Sequence, residues 1–200
     1  MKQFSIFKLE NFTGWDKIDE LNDFSYPWEK EESPSTTFKA YYNQNYIHFR
    51  FVASGPKPLV FVDKNHKMEV VYSERVEIFF RSNDKMNPYY ILEIDPYGRV
   101  LDYKAQLHRK FDRNWQWPEP LFIETAINNK NYTVEGKISL FVLKQLDLIN
   151  NCQIQIGLYR GHCTELKEKK ASIKWISWID SKTSEPDFHV PSSFGILKLQ

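Results

Sequence analysis

The stretch that decides the fold reads WISWID over residues 175–180, passes through a polar spacer, and ends as PDFHVPSSFG over residues 186–195. Its first part alternates in polarity, which is typical of a β-strand with one buried face. The second part carries Phe188 and His189 between two prolines, and each proline fixes a backbone torsion and removes an N–H donor. We therefore expect a strand followed by a stiff loop that presents an aromatic ring and an imidazole.

Short stretches with a period of two recur along the rest of the chain. They include residues 46–52 (YIHFRFV), 75–80 (RVEIFF) and 153–160 (QIQIGLYR), and turn-forming segments separate them. Residues 139–146 (SLFVLKQL) predict one short helix, with Ser139 as its N-cap. Roughly nine to eleven strands at this spacing predict an all-β chain folded as an antiparallel β-sandwich. Since no linker or repeat divides the sequence, we expect a single domain over residues 1–200.

The composition restricts the classes of partner. The chain has 27 basic and 26 acidic side chains and a formal net charge of +1, without the basic stripe that binds phosphate backbones. We therefore predict no nucleic-acid partner. Six Trp, eleven Tyr and fifteen Phe are more rings than the interior readily holds, and exposed rings usually serve recognition.

The N-terminal residues 1–8 (MKQFSIFK) lack the apolar run of a secretory signal, and no run approaches the ~20 apolar residues of a membrane span. As written, we expect a cytoplasmic monomer without a membrane span, or an exported protein if a signal was removed. Cys152 and Cys163 are most simply two reduced thiols. One disulfide between them is the alternative for an exported chain.

Several side chains are candidates for binding a ligand. Trp115 and Trp117 lie in a proline-containing loop, where they either stack on the apolar face of a pyranose ring or anchor the loop in the interior. Glu77 projects from the middle of a strand, where it either accepts hydrogen bonds from hydroxyl groups or forms a salt bridge. Tyr159 and Arg160 end another strand, and Arg160 either donates two hydrogen bonds to a ligand or forms a buried ion pair.

Catalysis has weaker support in the sequence. The five histidines are scattered without metal-ligand spacing, and no nucleophile elbow or phosphate-binding glycine loop is present. Glu77 and Glu93 lie on successive predicted strands and offer the paired carboxylates of a glycoside hydrolase. A haem held by Met86 and a distant histidine is a third hypothesis.

Three segments together carry a family resemblance: RVEIFF (75–80), WISW (175–178) and FHVPSSFG (188–195). With these segments the chain resembles carbohydrate-binding module family 9, in its shorter bacterial branch, over nearly the whole length. The resemblance implies an immunoglobulin-like, jelly-roll-like antiparallel β-sandwich, often attached to glycoside hydrolases. It also implies that two aromatic rings sandwich a terminal sugar, and it leaves structural calcium as an option besides no cofactor.

By position, the resemblance assigns one aromatic wall to Phe188 and the strand carboxylate to Glu77. Tyr72 takes the place of the second aromatic ring, one position out of register, and Glu93 replaces a basic residue of the family. The leading hypothesis is a non-catalytic carbohydrate-binding module that recognises mono- or oligosaccharide ends of plant or host glycans and is linked to polysaccharide breakdown. The alternative is a small glycoside hydrolase. The predicted carbohydrate-binding residues are Tyr72, Glu77, Trp115, Trp117, Tyr159, Arg160, Phe188 and His189.

Overall fold

The computed structural model describes residues 1–107 and 109–200, so that His108 lies outside the described residues. Within them, β-strands dominate. The strands are β1 (Gln3–Ile6), β2 (Glu20–Leu21), β3 (Thr36–Tyr42), β4 (Tyr46–Ser54), β5 (Arg75–Arg81), β6 (Tyr89–Ile94), β7 (Val100–Gln106), β8 (Lys110–Asp112), β9 (Phe122–Ile127), β10 (Asn131–Ser139), β11 (Gln153–Lys167), β12 (Lys170–Ser177) and β13 (Gly195–Leu199). The helices are α1 (Leu140–Gln145) and three short 3-10 helices, Trp15–Lys17, Lys67–Tyr72 and Pro191–Ser193.

The strands form two sheets packed as a sandwich, which confirms the predicted fold class. The large sheet has the order β1-β13-β11-β5-β6-β7-β8, and β12 also pairs with the long strand β11. The small sheet has the order β2-β3-β4-β10-β9. The strands β1 and β13 pair in parallel, with Gln3 opposite Ile196, whereas the other pairs of these strands are antiparallel. These two strands come from opposite ends of the chain, so no hairpin forces them to run antiparallel.

The main hydrophobic core lies between the sheets and follows from the period of two. On β5, Val76, Ile78 and Phe80 point inward, and they join a cluster with Phe49 and Phe51 of β4. Helix α1 begins where the sequence predicts it, because the hydroxyl of Ser139 accepts a hydrogen bond from the backbone N–H of Val142. Local sequence patterns are therefore sufficient to predict both β5 and helix α1.

The outer face of the large sheet is also covered. Phe79 and Tyr159 from this face form a second hydrophobic cluster with Phe188 and Phe194 of the C-terminal loop and Val70 of the Lys67–Tyr72 helix. Every residue of β5 and β6 is therefore buried. Polar side chains on this outer face lie beneath loops and a helix rather than in solvent.

Two further predictions concern the cysteines and the lack of a membrane-spanning segment. Cys152 is exposed, Cys163 is buried, and both are free thiols, as in the simpler of the two interpretations above. In the part of the chain that the structure describes, no helix combines the length and the apolar character needed to cross a membrane.

Candidate functional site

Arg75 lies between two carboxylates at the centre of the outer face of the large sheet. Glu77 of β5 and Glu93 of β6 are direct cross-strand partners. The Nε atom of Arg75 is 2.8 Å from Glu77 Oε1 and 2.8 Å from Glu93 Oε2. Tyr103 donates a 2.7 Å hydrogen bond to Glu93 Oε1. The predicted salt-bridge alternative for Glu77 is therefore realised, and Glu77 is only 2% exposed.

The charges of this cluster do not balance when both carboxyl groups are ionised. Burial, and then the neighbouring charge of Glu93, raise the pKa of Glu77 well above its usual range. Burial also raises the pKa of Tyr103, which stays protonated and donates to Glu93. Because both carboxylates are buried and bind Arg75, neither is free to reach a glycosidic bond. This geometry does not favour the glycoside hydrolase hypothesis.

Trp175 was not among the predicted site residues, although it forms part of this cluster. Its half-buried indole lies with the Arg75 guanidinium 4.9 Å from the ring centroid. The indole crosses strand β11 at Gly161, where a Cβ atom would lie 3.2 Å from the ring. The alternation in the sequence places Trp175 on this face, but the register that brings it over Arg75 depends on the pairing of β11 with β12.

Phe188, Tyr159 and His189 hold the C-terminal loop onto the sheet. The rings of Phe188 and Tyr159 stack with centroids 3.9 Å apart, and Phe188 is only 5% exposed. The Tyr159 hydroxyl donates to the backbone oxygen of Ser193 at 2.8 Å. The expectation that the loop presents an open aromatic ring is therefore corrected, because Tyr159, itself fully buried, covers one face of Phe188.

His189 is largely buried, and its Nδ1 atom shares a 2.8 Å hydrogen bond with the hydroxyl of Tyr89. Burial first, and then the charge of Arg109, lower the pKa of His189 to about 4. The unfolded chain therefore binds a proton more readily than the folded chain between about pH 6.5 and pH 4. His189 consequently contributes its full stability above about pH 6.5, and this contribution is lost as the pH falls towards 4.

We expect the His189→Asn variant to lose less stability on acidification than the parent, because the amide oxygen replaces the Nδ1 acceptor but does not take up a proton. The difference should reach about 2–3 kcal/mol between pH 7 and pH 4. Urea denaturation at several pH values measures it. Parallel stability curves for the two proteins across this range would contradict the assignment.

Trp117 is buried and the half-buried Trp115 packs against the core, which corrects the prediction that both rings are open stacking platforms. The Trp117 ring packs on Phe80 of the core with centroids 5.8 Å apart, and it is 7% exposed although it borders a small cavity of about 210 Å³. The half-buried Trp115 packs on Tyr90 at 5.1 Å. The alternative that these rings anchor the loop is therefore realised.

Arg160 forms a buried ion pair, which was the second of the two roles considered for it from the sequence. Its Nε atom donates a 2.6 Å hydrogen bond to Glu74, and its Nη1 atom donates to Thr36 at 3.2 Å. Glu74 further accepts from the backbone N–H of Cys163 at 2.7 Å. Both members of the Arg160–Glu74 pair are almost fully buried. The Nε and Nη1 donors of the guanidinium are therefore engaged within the protein, although Arg160 also borders a cavity of about 410 Å³ together with Glu74, Tyr132 and His162.

Tyr72 is half-buried and lines an open groove. It ends the Lys67–Tyr72 helix and borders a cavity of about 470 Å³. We call this cavity the helix groove, and its lining residues are Asp63, Lys64, His66, Met68, Glu69, Val71, Tyr72, Arg113 and Lys169. The groove thus joins an apolar wall to several charged side chains. The structure separates Tyr72 from the other seven predicted residues, none of which lines this groove.

The Arg75 cluster lies behind the wall of the helix groove. The Nη1 atom of Arg75 donates to the backbone oxygens of Val71 at 3.2 Å and Ser73 at 3.1 Å. The ion cluster therefore fixes the end of the helix that carries Tyr72. Glu77 supports the groove through Arg75 and does not line it.

The opposite rim of the groove is held by Glu69. Its carboxylate accepts backbone N–H bonds from Lys64 at 2.7 Å and Asp63 at 3.1 Å, and these bonds lower the pKa of Glu69. Arg99 binds Glu69 at 2.9 Å and the backbone oxygen of Phe61 at 2.7 Å. The groove is thus ordered before a ligand enters, which reduces the entropic cost of binding.

Residues 1–107 and 109–200 contain no group of three or more His, Cys, Asp or Glu side chains placed to hold a metal ion. Met86, the haem ligand considered above, is completely buried in the second hydrophobic cluster.

Comparisons with known proteins identify related chains. Residues 13–200 match the family described as carbohydrate family 9 binding domain-like. A candidate carbohydrate-binding protein from Bacteroides uniformis has a similar structure, with a TM-score of 0.72 and 15% identity over 100% of this chain and 99% of that chain. None of the curated proteins compared with the chain matches it.

Two further similar structures are carbohydrate-binding module family 9 domains from Caldicellulosiruptor kristjanssonii. The structure in complex with glucose has a TM-score of 0.58 and 14% identity, and it covers 100% of this chain and 96% of that chain. The structure in complex with cellotriose has a TM-score of 0.56 and 14% identity, and it covers 100% of this chain and 94% of that chain. At these identities the likeness establishes the shared fold.

Proposed function

The chain belongs to the carbohydrate family 9 binding domain-like family, and on that premise we propose that it is a non-catalytic module that binds the end of a saccharide in the helix groove. The observation that carries this proposal is the groove itself, which combines Tyr72 and Met68 with charged side chains in a volume of about 470 Å³. Ligand pockets are typically roughly 300–1,000 Å³ and combine apolar walls with a few polar groups.

The groove suits a sugar because a pyranose ring has both kinds of surface. Its axial C–H groups form an apolar face that packs against Met68 and Tyr72, and its equatorial hydroxyls remain free for polar partners. Lys169 and Asp63 face each other across 3.8 Å and are both well exposed. Because such an exposed ion pair contributes little by itself, hydroxyl groups replace it at low cost. Arg113, which packs over the ring of Phe111, offers further donors.

We expect a modest affinity, with a Kd between about 1 µM and 1 mM, because one sugar ring presents few apolar atoms. The two Caldicellulosiruptor structures hold glucose and cellotriose, so these sugars are the first ligands to test, followed by xylotriose and galactose. Saturable calorimetric binding of at least one of them is the expected result. No heat from any of the four at millimolar concentration would contradict the proposed function.

The Tyr72→Ala variant should bind the preferred sugar at least about tenfold more weakly, because it removes the aromatic part of the wall. Tyr72→Leu tests whether bulk alone suffices, since it keeps the packing against Phe61. Tyr97→Ala is the matched control, because Tyr97 is exposed on the turn after β6 and does not line the groove. Equal affinities of Tyr72→Ala and Tyr97→Ala would contradict the site while leaving the function open to another groove.

The enzymatic alternative has a direct test. An aryl glycoside series incubated with the protein should release no chromophore above the rate of a Glu77→Gln variant. Turnover that is lost in Glu77→Gln or Glu93→Gln would instead assign catalysis to this carboxylate pair.

A further inference from the structure

The outer face of the small sheet carries a second groove that the family resemblance does not account for. It has a volume of about 230 Å³ and lies on the side of the sandwich opposite the Arg75 cluster. We call it the small-sheet groove and define it by six of its lining residues, Phe12, Trp15, Tyr41, Phe122, Glu124 and Glu135.

One wall of the small-sheet groove is a stack of rings. Phe12 stacks on Tyr41 with centroids 4.8 Å apart and an interplanar angle of 9°. Tyr41 stacks in turn on His48 at 4.6 Å and 2°. Trp15 closes the group, edge-on to Phe12 at 5.1 Å. Phe12 remains exposed, so a large aromatic side chain before β2 is held in a fixed position at the surface.

The opposite wall is a single exposed ring. Phe122 of β9 is 53% exposed, and it is the cross-strand neighbour of Lys137 of β10. The Lys137 ammonium lies 4.7 Å from the centroid of Phe122 and 4.9 Å from that of Tyr46. Lys137 is therefore held at the groove by two rings, with its N–H donors beside the apolar wall.

Between the two walls lie two carboxylates in direct register. Glu135 of β10 is opposite Glu124 of β9. Glu135 accepts a 2.9 Å hydrogen bond from the indole N–H of Trp15 and lies 3.3 Å from Arg50 Nε. Within the described residues, Glu124 has no such partner. Like charges opposite each other in a sheet are unfavourable, so a ligand that donates hydrogen bonds to Glu124 would be favoured here.

From these contacts we propose that the small-sheet groove is a second carbohydrate site, which holds one pyranose ring of a glycan. The ring lies with its apolar face on Phe122 and its edge towards Phe12, and its hydroxyls donate to Glu124 and accept from Lys137. The volume is below the roughly 300 Å³ of typical drug-sized pockets, so it suits one sugar unit rather than a buried chain. Two grooves on opposite faces would let the module bind two glycan strands. Where both strands belong to one polysaccharide assembly, binding of the first raises the effective concentration of the second.

The test follows ligand-induced shifts of the Trp15 indole signal in ¹H–¹⁵N spectra while cellobiose is added. The indole N–H of Trp15 donates to Glu135 and so reports on this groove, while the backbone signals of Lys64 and Met68 report separately on the helix groove. We expect a saturable shift of the Trp15 signal. The Phe122→Ala variant should weaken it about tenfold, and Glu124→Gln should weaken it several-fold without unfolding the sheet.

Phe141→Ala is the matched control, because Phe141 is an exposed phenylalanine of α1 outside both grooves. It should leave the Trp15 titration unchanged, and Tyr72→Ala should do the same. A Trp15 signal that ignores cellobiose, that responds equally in Phe122→Ala and Phe141→Ala, or that shifts with Ca²⁺ instead of sugar would overturn the proposal. Because the helix groove is followed by its own signals, failure at one groove is distinguishable from failure at the other.

Discussion

Replacing Arg75 with methionine should lower the free energy of unfolding by about 3–5 kcal/mol at neutral pH. The substitution leaves Glu77 and Glu93 buried opposite each other without their shared cation. Methionine fills much of the space of the arginine stem, so the expected loss comes from uncompensated charge rather than from a cavity. Denaturation in urea, followed by tryptophan fluorescence, measures the effect.

The pH dependence of the unfolding free energy of the Arg75→Met variant tests whether uncompensated charge causes the loss of stability. Burial and the charge of Glu93 already raise the pKa of Glu77 in the parent, and loss of the guanidinium raises it further above its value in the unfolded chain. Stability is therefore present at low pH and is lost as the pH rises through the folded-state values. The variant should accordingly recover part of its lost stability between about pH 7 and pH 5, and the second substitution Glu77→Gln should restore part of it at neutral pH.

Arg109→Met is the matched control for Arg75→Met, because it removes the same side chain from an ion pair with Asp187 in which both side chains remain partly exposed. Its cost should stay below about 1 kcal/mol. An Arg75→Met variant that loses no more than this control, or whose loss does not change with pH, would show that the buried cluster carries no net unpaired charge.

The strands and helix α1 could be predicted from the sequence because their signals are local. The alternation of residues 75–80 places Val76, Ile78 and Phe80 on one face whatever lies above them. Ser139 likewise identifies the start of α1 without knowledge of its neighbours. The parallel pairing of β1 and β13 could not be predicted in this way, since it joins segments almost the whole chain apart.

The partners of the polar site residues could not be predicted from the sequence. Arg160 pairs with Glu74, 86 positions earlier in the chain, and the meeting of Arg75 with Glu93 depends on the register of β5 and β6. From composition alone, a strand carboxylate such as Glu77 is equally suited to a ligand and to an ion pair. The fold decides between these uses because loops cover the outer face of the large sheet.

The sequence also did not reveal which of the aromatic rings are exposed and which are buried. Trp115 and Trp117 lie in a polar, proline-containing segment that looks like a surface loop, yet they pack into the core. Phe122 begins an alternating strand in the same way as buried residues elsewhere, yet it is exposed because it lies on the outer face of the small sheet, beside Lys137. Tyr72 was identified through the family resemblance, and it is the residue of the predicted set that reaches the helix groove.

The glycine at position 195, which begins β13, is required for steric reasons. A Cβ atom at Gly195 would lie 2.5 Å and 2.6 Å from two ring carbons of Trp178 and 3.1 Å from the backbone oxygen of Lys2. Trp178 is almost fully buried in the core, and the same Lys2 oxygen accepts the Ile196 N–H that joins β13 to β1. Neither neighbour is able to move without disturbing the core or the parallel strand pair.

We therefore expect Gly195→Ala to lower the free energy of unfolding by about 1–3 kcal/mol, the range for overpacked cores. Gly161→Ala is the matched control, because its Cβ would lie 3.2 Å from the half-buried Trp175 and 3.3 Å from Nη1 of Arg75, which are both looser contacts than the 2.5 Å and 2.6 Å at Gly195. Its cost should be below about 1 kcal/mol. Trp178→Phe combined with Gly195→Ala relieves the clash, so the double variant should be more stable than the sum of the two single losses predicts. Strict additivity in this double-mutant cycle would mean that the Trp178 ring does not set the requirement for glycine at position 195.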